Sequence, residues 1–177
     1  MSGSAPTISI GHGLQSSACA RLQLTDRDHE SLAAALASAP RGPDSWAIPG
    51  TFSDDTRTIA TWEGADGALL DFDFRDTTKT GNAGHRPVPD DVRDAVTRVA
   101  RAHFPAGVFY CTARGFRFGV IFAAPVRSAD AFSRAVRALA TAILTILSEE
   151  GLPTTQGSDI GFEFDHNSLK VNQIQRL

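Results

Sequence analysis

Residues 69–74 read Leu-Leu-Asp-Phe-Asp-Phe. Alternation of period two sets Leu70, Phe72 and Phe74 on one face of a strand and Asp71 with Asp73 on the other. Near the other end of the chain, Phe162 and Phe164 alternate with Glu163 and Asp165 in the same way. Both segments therefore belong to sheets with one apolar, covered face and one acidic face. Like charges at neighbouring positions on one face repel, so such pairs are tolerated where a divalent cation neutralises them. The alternative is a solvated sheet face with no ligand.

The rest of residues 67–177 alternates helical and strand periodicity around these two segments. Pro89-Asp90-Asp91 opens a helix with the apolar stripe Val92, Val96, Val99 and His103. Asp90 and Asp91 suit its first turn, where the helix dipole favours anions. Residues 108–113 and 116–122 are two β-rich runs separated by Arg114-Gly115, a hairpin signal. In the second run Phe116, Phe118, Val120 and Phe122 alternate inward, leaving Arg117, Gly119 and Ile121 on the outward face. Ser128 is placed to cap a helix carrying Phe132, Val136, Leu139, Ile143, Leu144 and Leu147 and ending at Gly151.

The expected core over about 67–177 is thus β-α-β-β-α-β, an α+β unit of ferredoxin-like or RRM-like type. In that topology the first and third strands are neighbours and the fourth borders the first. Asp71, Asp73, Arg117 and Asp165 would then share the sheet face away from the helices. An N-terminal αβ extension precedes the core. It has a strand over 20–24, a helix over 28–39 and a weaker strand over 56–62. Glu63-Gly64-Ala65-Asp66-Gly67 reads as a hairpin loop, and residues 77–87 as a mobile loop.

At 177 residues and 42% hydrophobic content the chain can bury one good core, so 19–177 reads as a single domain. Residues 1–18 have no basic start or apolar stretch and read as a flexible leader rather than a secretory signal. The nearly apolar run 138–147 is too short to span a bilayer and is broken by Thr141 and Thr145, so no membrane partner is expected. Two cysteines, Cys19 and Cys111, make neither a metal cluster nor a disulfide framework, which suits a reducing, cytoplasmic location. Charge is uneven. Residues 1–92 hold 7 basic and 13 acidic side chains, and residues 93–177 hold 10 and 7. A carboxylate-rich half joined to an arginine-bearing half suits a metal site beside a phosphate-binding surface, although charge drift over a solvated surface gives the same counts.

Three carboxylates on one face are what a two-metal phosphoryl-transfer site requires, and magnesium or manganese prefers oxygen ligands. There is no GxxxxGK[ST] loop and no GxGxxG following a strand. Read together, Leu70-Asp71-Phe72-Asp73, Thr112-Ala113-Arg114-Gly115-Phe116-Arg117-Phe118 and Phe164-Asp165 resemble the three motifs of the archaeo-eukaryotic primase superfamily. The likeness is nearest to the primase-polymerase domains of plasmid and phage replication proteins. Their order and spacing carry it, helped by Ala124-Pro125-Val126 after the second motif and by Lys170 and Gln175-Arg176-Leu177 after the third.

The resemblance implies a DNA primase/polymerase with Mg2+ or Mn2+ held by Asp71, Asp73 and Asp165. Its partners would be a DNA template, nucleoside triphosphates and a helicase domain or protein. It further implies nucleotide contacts from Arg114, Arg117, Lys170 and Arg176. Arg117 stands where the family has a histidine, which leaves a catalytically silent replication module as an alternative. An RRM-like nucleic-acid-binding domain is another, but it would need aromatic side chains on the open face. Because relatives continue beyond this point, the resemblance also implies truncation at the C-terminus.

Overall fold

The computed structural model describes residues 6–12, 18–39, 45–48, 50–170 and 175–176. Over the described residues the fold is mixed α+β, with three α-helices and two antiparallel sheets. In chain order the elements are β1 (Thr7–His12), β2 (Ala20–Gln23), α1 (His29–Ser38), β3 (Ser45–Ile48), β4 (Gly50–Phe52) and β5 (Trp62–Asp76). There follow α2 (Asp90–His103), β6 (Val108–Thr112), β7 (Gly115–Val126), α3 (Ala129–Glu149), β8 (Ile160–Phe164) and β9 (Gln175–Arg176).

The larger sheet runs β4-β5-β7-β6, and β8 also pairs with β5. β5 is long enough to take β4 on residues 62–65 and β8 on residues 72–76 along the same edge. Its inward side chains Leu70, Phe72 and Phe74 are buried against α2 and α3, which contribute Val96, Val99, Phe132, Val136, Ile143 and Leu147. Phe72 stacks on Phe116 at 4.5 Å, and Phe116 meets Phe162 edge-on at 5.1 Å. Each buried phenylalanine contributes about 1.5–3 kcal/mol, with about 0.5–1.5 kcal/mol more for a ring pair of this geometry. That aromatic seam locks the register of β5 against β7 and β8, and so decides which outward side chains meet.

The smaller sheet runs β2-β1-β3-β9. With α1 it forms a second core of Ile8, Leu24, Leu32, Leu36, Ala47 and Leu69. Leu69 lies on the outward face of β5, so this unit covers one end of the face opposite α2 and α3. An ion pair joins the units: Arg27 Nη2 lies 2.8 Å from Asp66 Oδ1, and Asp66 Oδ2 accepts the Thr7 N–H at 2.9 Å.

Several expectations are corrected here. Residues 7–12, expected in a flexible leader, form β1, because Ile8 gains a core from α1. The strand expected over 56–62 does not form: Thr56 makes one bridge to Ala18, the chain turns over 58–61, and Trp62 begins β5. Residues 63–67 are not a hairpin loop but the start of β5. A Cβ at Gly67 would overlap the Val120 carbonyl oxygen, so this glycine serves close strand approach beside a β-bulge rather than a turn. His103 leaves the apolar stripe of α2 and is exposed, 3.1 Å from Glu150.

Among the described residues α3 is the one helix whose length and mean hydropathy would allow it to cross a membrane. Here its stripe Phe132, Val136, Ala140, Ile143, Leu144 and Leu147 faces the sheet, while Thr141 and Thr145 are exposed.

Candidate functional site

On the face of the larger sheet away from α2 and α3, a row of side chains crosses three strands. Asp71 of β5 lies opposite Arg117 of β7, which lies opposite Tyr110 of β6. Arg117 Nε donates to Asp71 Oδ2 at 3.2 Å, and the guanidinium carbon sits 6.0 Å from the centre of the Tyr110 ring. The next row places Asp73 opposite Gly115 on one side and Glu163 on the other. Asp73 Oδ1 is 3.5 Å from His85 Nδ1, and Glu163 Oε2 is 3.3 Å from Arg75 Nε.

The third strand end arrives through β8. The Asp165 N–H donates to the Asp71 carbonyl at 2.9 Å. The Asp165 carboxylate does not stand on the strand as expected. It caps the short 3-10 turn His166–Leu169, accepting the Asn167 N–H at 2.9 Å. That turn returns Ser168 beneath the site, where its buried Oγ accepts the Asp71 N–H at 3.2 Å.

Burial and crowding set the charges. The Asp71 carboxyl is held above the ordinary aspartate range by removal from water; Arg117 pulls it back, while Asp73 and Asp165 push it up again. Asp73 is likewise raised, first by burial, with His85 opposing and Asp165 reinforcing. Burial works against the Arg117 charge, but Asp71 and Tyr110 outweigh it, so this guanidinium is held more firmly protonated than usual.

The structure thus brings Asp71, Asp73 and Arg117 together on neighbouring strands, with Asp165 at the adjoining strand end. Arg114 is exposed in the β6–β7 turn, next to the Gly115 that opposes Asp73. Lys170 is exposed and donates to Asn167 Oδ1 at 2.9 Å. Arg176 lies in β9, opposite Trp46 in the smaller sheet; its side chain is outside the described residues. The outward position of Gly119 does not leave room for a ligand. A Cβ there would meet Leu69 at 2.9 Å and Leu32 at 3.2 Å, because α1 packs over that end of the face.

Two residues on this face carried no sequence signal that singled them out. Tyr110 is readable only once the β6–β7 register puts it beside Arg117. His85 lies in the 77–87 loop, which was expected to be mobile. That loop is pinned by the Arg86 N–H to the Phe74 carbonyl at 2.9 Å, by Arg86 to Asp76 at 3.4 Å, and by Arg75 Nη2 to the Gly81 carbonyl at 3.3 Å.

The oxygen donors suit magnesium or manganese by type. Among the described residues no three His, Cys, Asp or Glu side chains are, as they stand, grouped to hold a metal ion. Asp71 is engaged by Arg117, Asp73 by His85, and Asp165 by a backbone N–H. A cation would have to draw these carboxylates away from partners they already have. No protein-family model matches the chain, and no curated protein or solved structure matches it significantly.

Proposed function

We propose that this chain is a primase-polymerase module that joins nucleotides on a DNA template in plasmid or phage replication. The observation that carries the reading is geometric: Asp71 and Asp73 stand partly buried on one face of β5, and the Asp165 N–H bonds the Asp71 carbonyl beside them. Like charges gathered out of water work against folding, and perturbed carboxyls of this kind concentrate at functional sites. The order β8-β5-β7-β6 within the larger sheet, with α2 and α3 on one face, supports a ferredoxin-like reading of that part of the chain, to which β4 adds on the β5 edge while β9 joins the smaller sheet.

In this reading Asp71, Asp73 and Asp165 would hold Mg2+ or Mn2+, which would supply charge neutralisation for phosphoryl transfer. Arg117 exchanges its bond to Asp71 for the phosphates of a nucleoside triphosphate, which its planar fork can grip at two oxygens. Arg114 at the hairpin mouth and Lys170 after the 3-10 turn add cationic contacts, whereas Arg176 lies in β9 of the smaller sheet. A helicase domain or protein as partner and a reducing cytoplasm, in keeping with the free Cys19 and Cys111, complete the proposal.

A second reading has its own observation. The Arg117–Asp71 ion pair already neutralises one carboxylate from within the protein, as a silent DNA-binding module would. Primer synthesis on a single-stranded template with Mg2+ or Mn2+ separates the two. Synthesis by wild type that disappears in Asp71→Ala and Asp73→Ala, with circular dichroism unchanged, supports the enzyme. Template binding without synthesis supports the silent module. Wild-type rates in the double variant end the assignment.

A further inference from the structure

A groove of about 280 Å³ runs between α3 and the outer edge of β8, on the opposite side of that strand from β5. Its floor is Leu144 and Phe164, and its walls carry Arg137, Gln156, Glu163 and His166. One helical turn from Arg137, Ser133 Oγ donates to the Leu169 carbonyl at 2.9 Å and ties α3 to the 3-10 turn that follows β8. The His166 ring meets the Phe164 ring edge-on, 5.4 Å between centres, and is itself exposed.

The groove's lining carries one arginine and one glutamate, and the two are differently engaged. Glu163 is engaged by Arg75 at 3.3 Å, whereas Arg137 is exposed and has no ion-pair partner among the described residues. An apolar floor, a stackable ring, an amide and an uncompensated guanidinium together match a flat heterocycle carrying a phosphate. The volume is near the small end for ligand pockets, which suits one nucleotide. Its rim is also placed usefully, because Glu163 lies directly opposite Asp73. A strand with one nucleotide seated in the groove would continue onto the carboxylate face.

We propose that this groove binds a single nucleotide of a nucleic-acid strand, with its phosphate on Arg137, its base against His166 and Phe164, and its polar edge on Gln156. The choice of a nucleotide rests on the nucleic-acid reading of the carboxylate face; the groove itself needs no metal. Arginine–phosphate and base–ring contacts of this type are the ordinary grip on single strands.

The test is binding of fluorescent dT12, and separately of dAMP, to the full chain in EDTA. Wild type is compared with Arg137→Ala, Gln156→Ala and the surface control Arg101→Ala. Arg137→Ala should weaken dT12 binding about tenfold to a hundredfold and lower the salt dependence by about one phosphate contact, with Arg101→Ala unchanged. Groove-dependent binding of dAMP without dT12 keeps the nucleotide site and identifies its ligand as a free nucleotide. No binding by wild type, or equal binding by all four proteins, overturns the proposal. Primer synthesis that persists alongside such equal binding refutes the groove alone. Groove-dependent binding by a protein that makes no primers refutes the primase reading alone.

Discussion

Removing the Arg117 guanidinium tests the fold and the site at once. Arg117 and Asp71 are 17% and 19% exposed and 3.2 Å apart. Breaking a fully buried pair from one side costs about 3–5 kcal/mol, and an exposed pair is worth about 0–1 kcal/mol. This geometry lies between, so Arg117→Ala should cost about 2 kcal/mol. The charge left on Asp71 then faces Asp73 and Asp165 without compensation. In a domain of this size that loss lowers Tm by about 4–8 °C. Manganese should reverse it. A cation at about 100 times its Kd adds about 2.7 kcal/mol to the folded state, enough to offset the lost guanidinium. Wild type should gain less, because there the metal must first displace Arg117 from Asp71. Differential scanning calorimetry of both proteins with EDTA and with Mn2+ measures both effects. A Tm within 1 °C of wild type would refute the ion-pair argument. A lowered Tm that does not respond to Mn2+ would refute the carboxylates as a metal site.

Three further outcomes are expected. Asp73→Asn should raise Tm at neutral pH and lose that gain on acidification. A carboxyl whose folded pKa is raised favours folding below the ordinary aspartate range, about 3.9, and opposes it once ionised; an equal gain at pH 3 and pH 7 would contradict this. Arg27→Ala should cost about 3 kcal/mol by orphaning Asp66, which is 9% exposed and also holds the Thr7 N–H. Urea unfolding with an unchanged slope reports it. Gly115→Ala should cost about 3 kcal/mol or more, because its Cβ would overlap the Phe72 carbonyl oxygen across the β5–β7 ladder; an unchanged urea midpoint would show that the strands do not approach so closely.

Much of the larger sheet was readable because its segments obey one simple period. Phe72, Phe116 and Phe162 alternate with charged or glycine neighbours, and burial of that apolar set decides the orientation of each strand whatever lies around it. Helix ends were similarly local. Ser128 caps α3 as expected, and Asp28, expected inside a helix over 28–39, caps α1; both side-chain oxygens accept N–H groups three residues on.

What the tertiary structure alone decided depends on surfaces brought from far along the chain. The Glu63–Gly67 segment reads as a turn by composition, yet strand β7 needs Gly67 to approach closely. Ile8 looks like part of a tail until α1 supplies Leu32 and Leu36. The site shows the same division. Two aspartates on one face follow from alternation, but their partners do not. Arg117 meets Asp71 across 46 residues only because the phenylalanine seam sets the register. His85 meets Asp73 only because Arg75, Asp76 and Arg86 hold its loop down. Local periodicity carries the information for which way a side chain faces. Which charge it faces is settled by packing free energy summed over elements distant in sequence, and no short window of residues contains that sum.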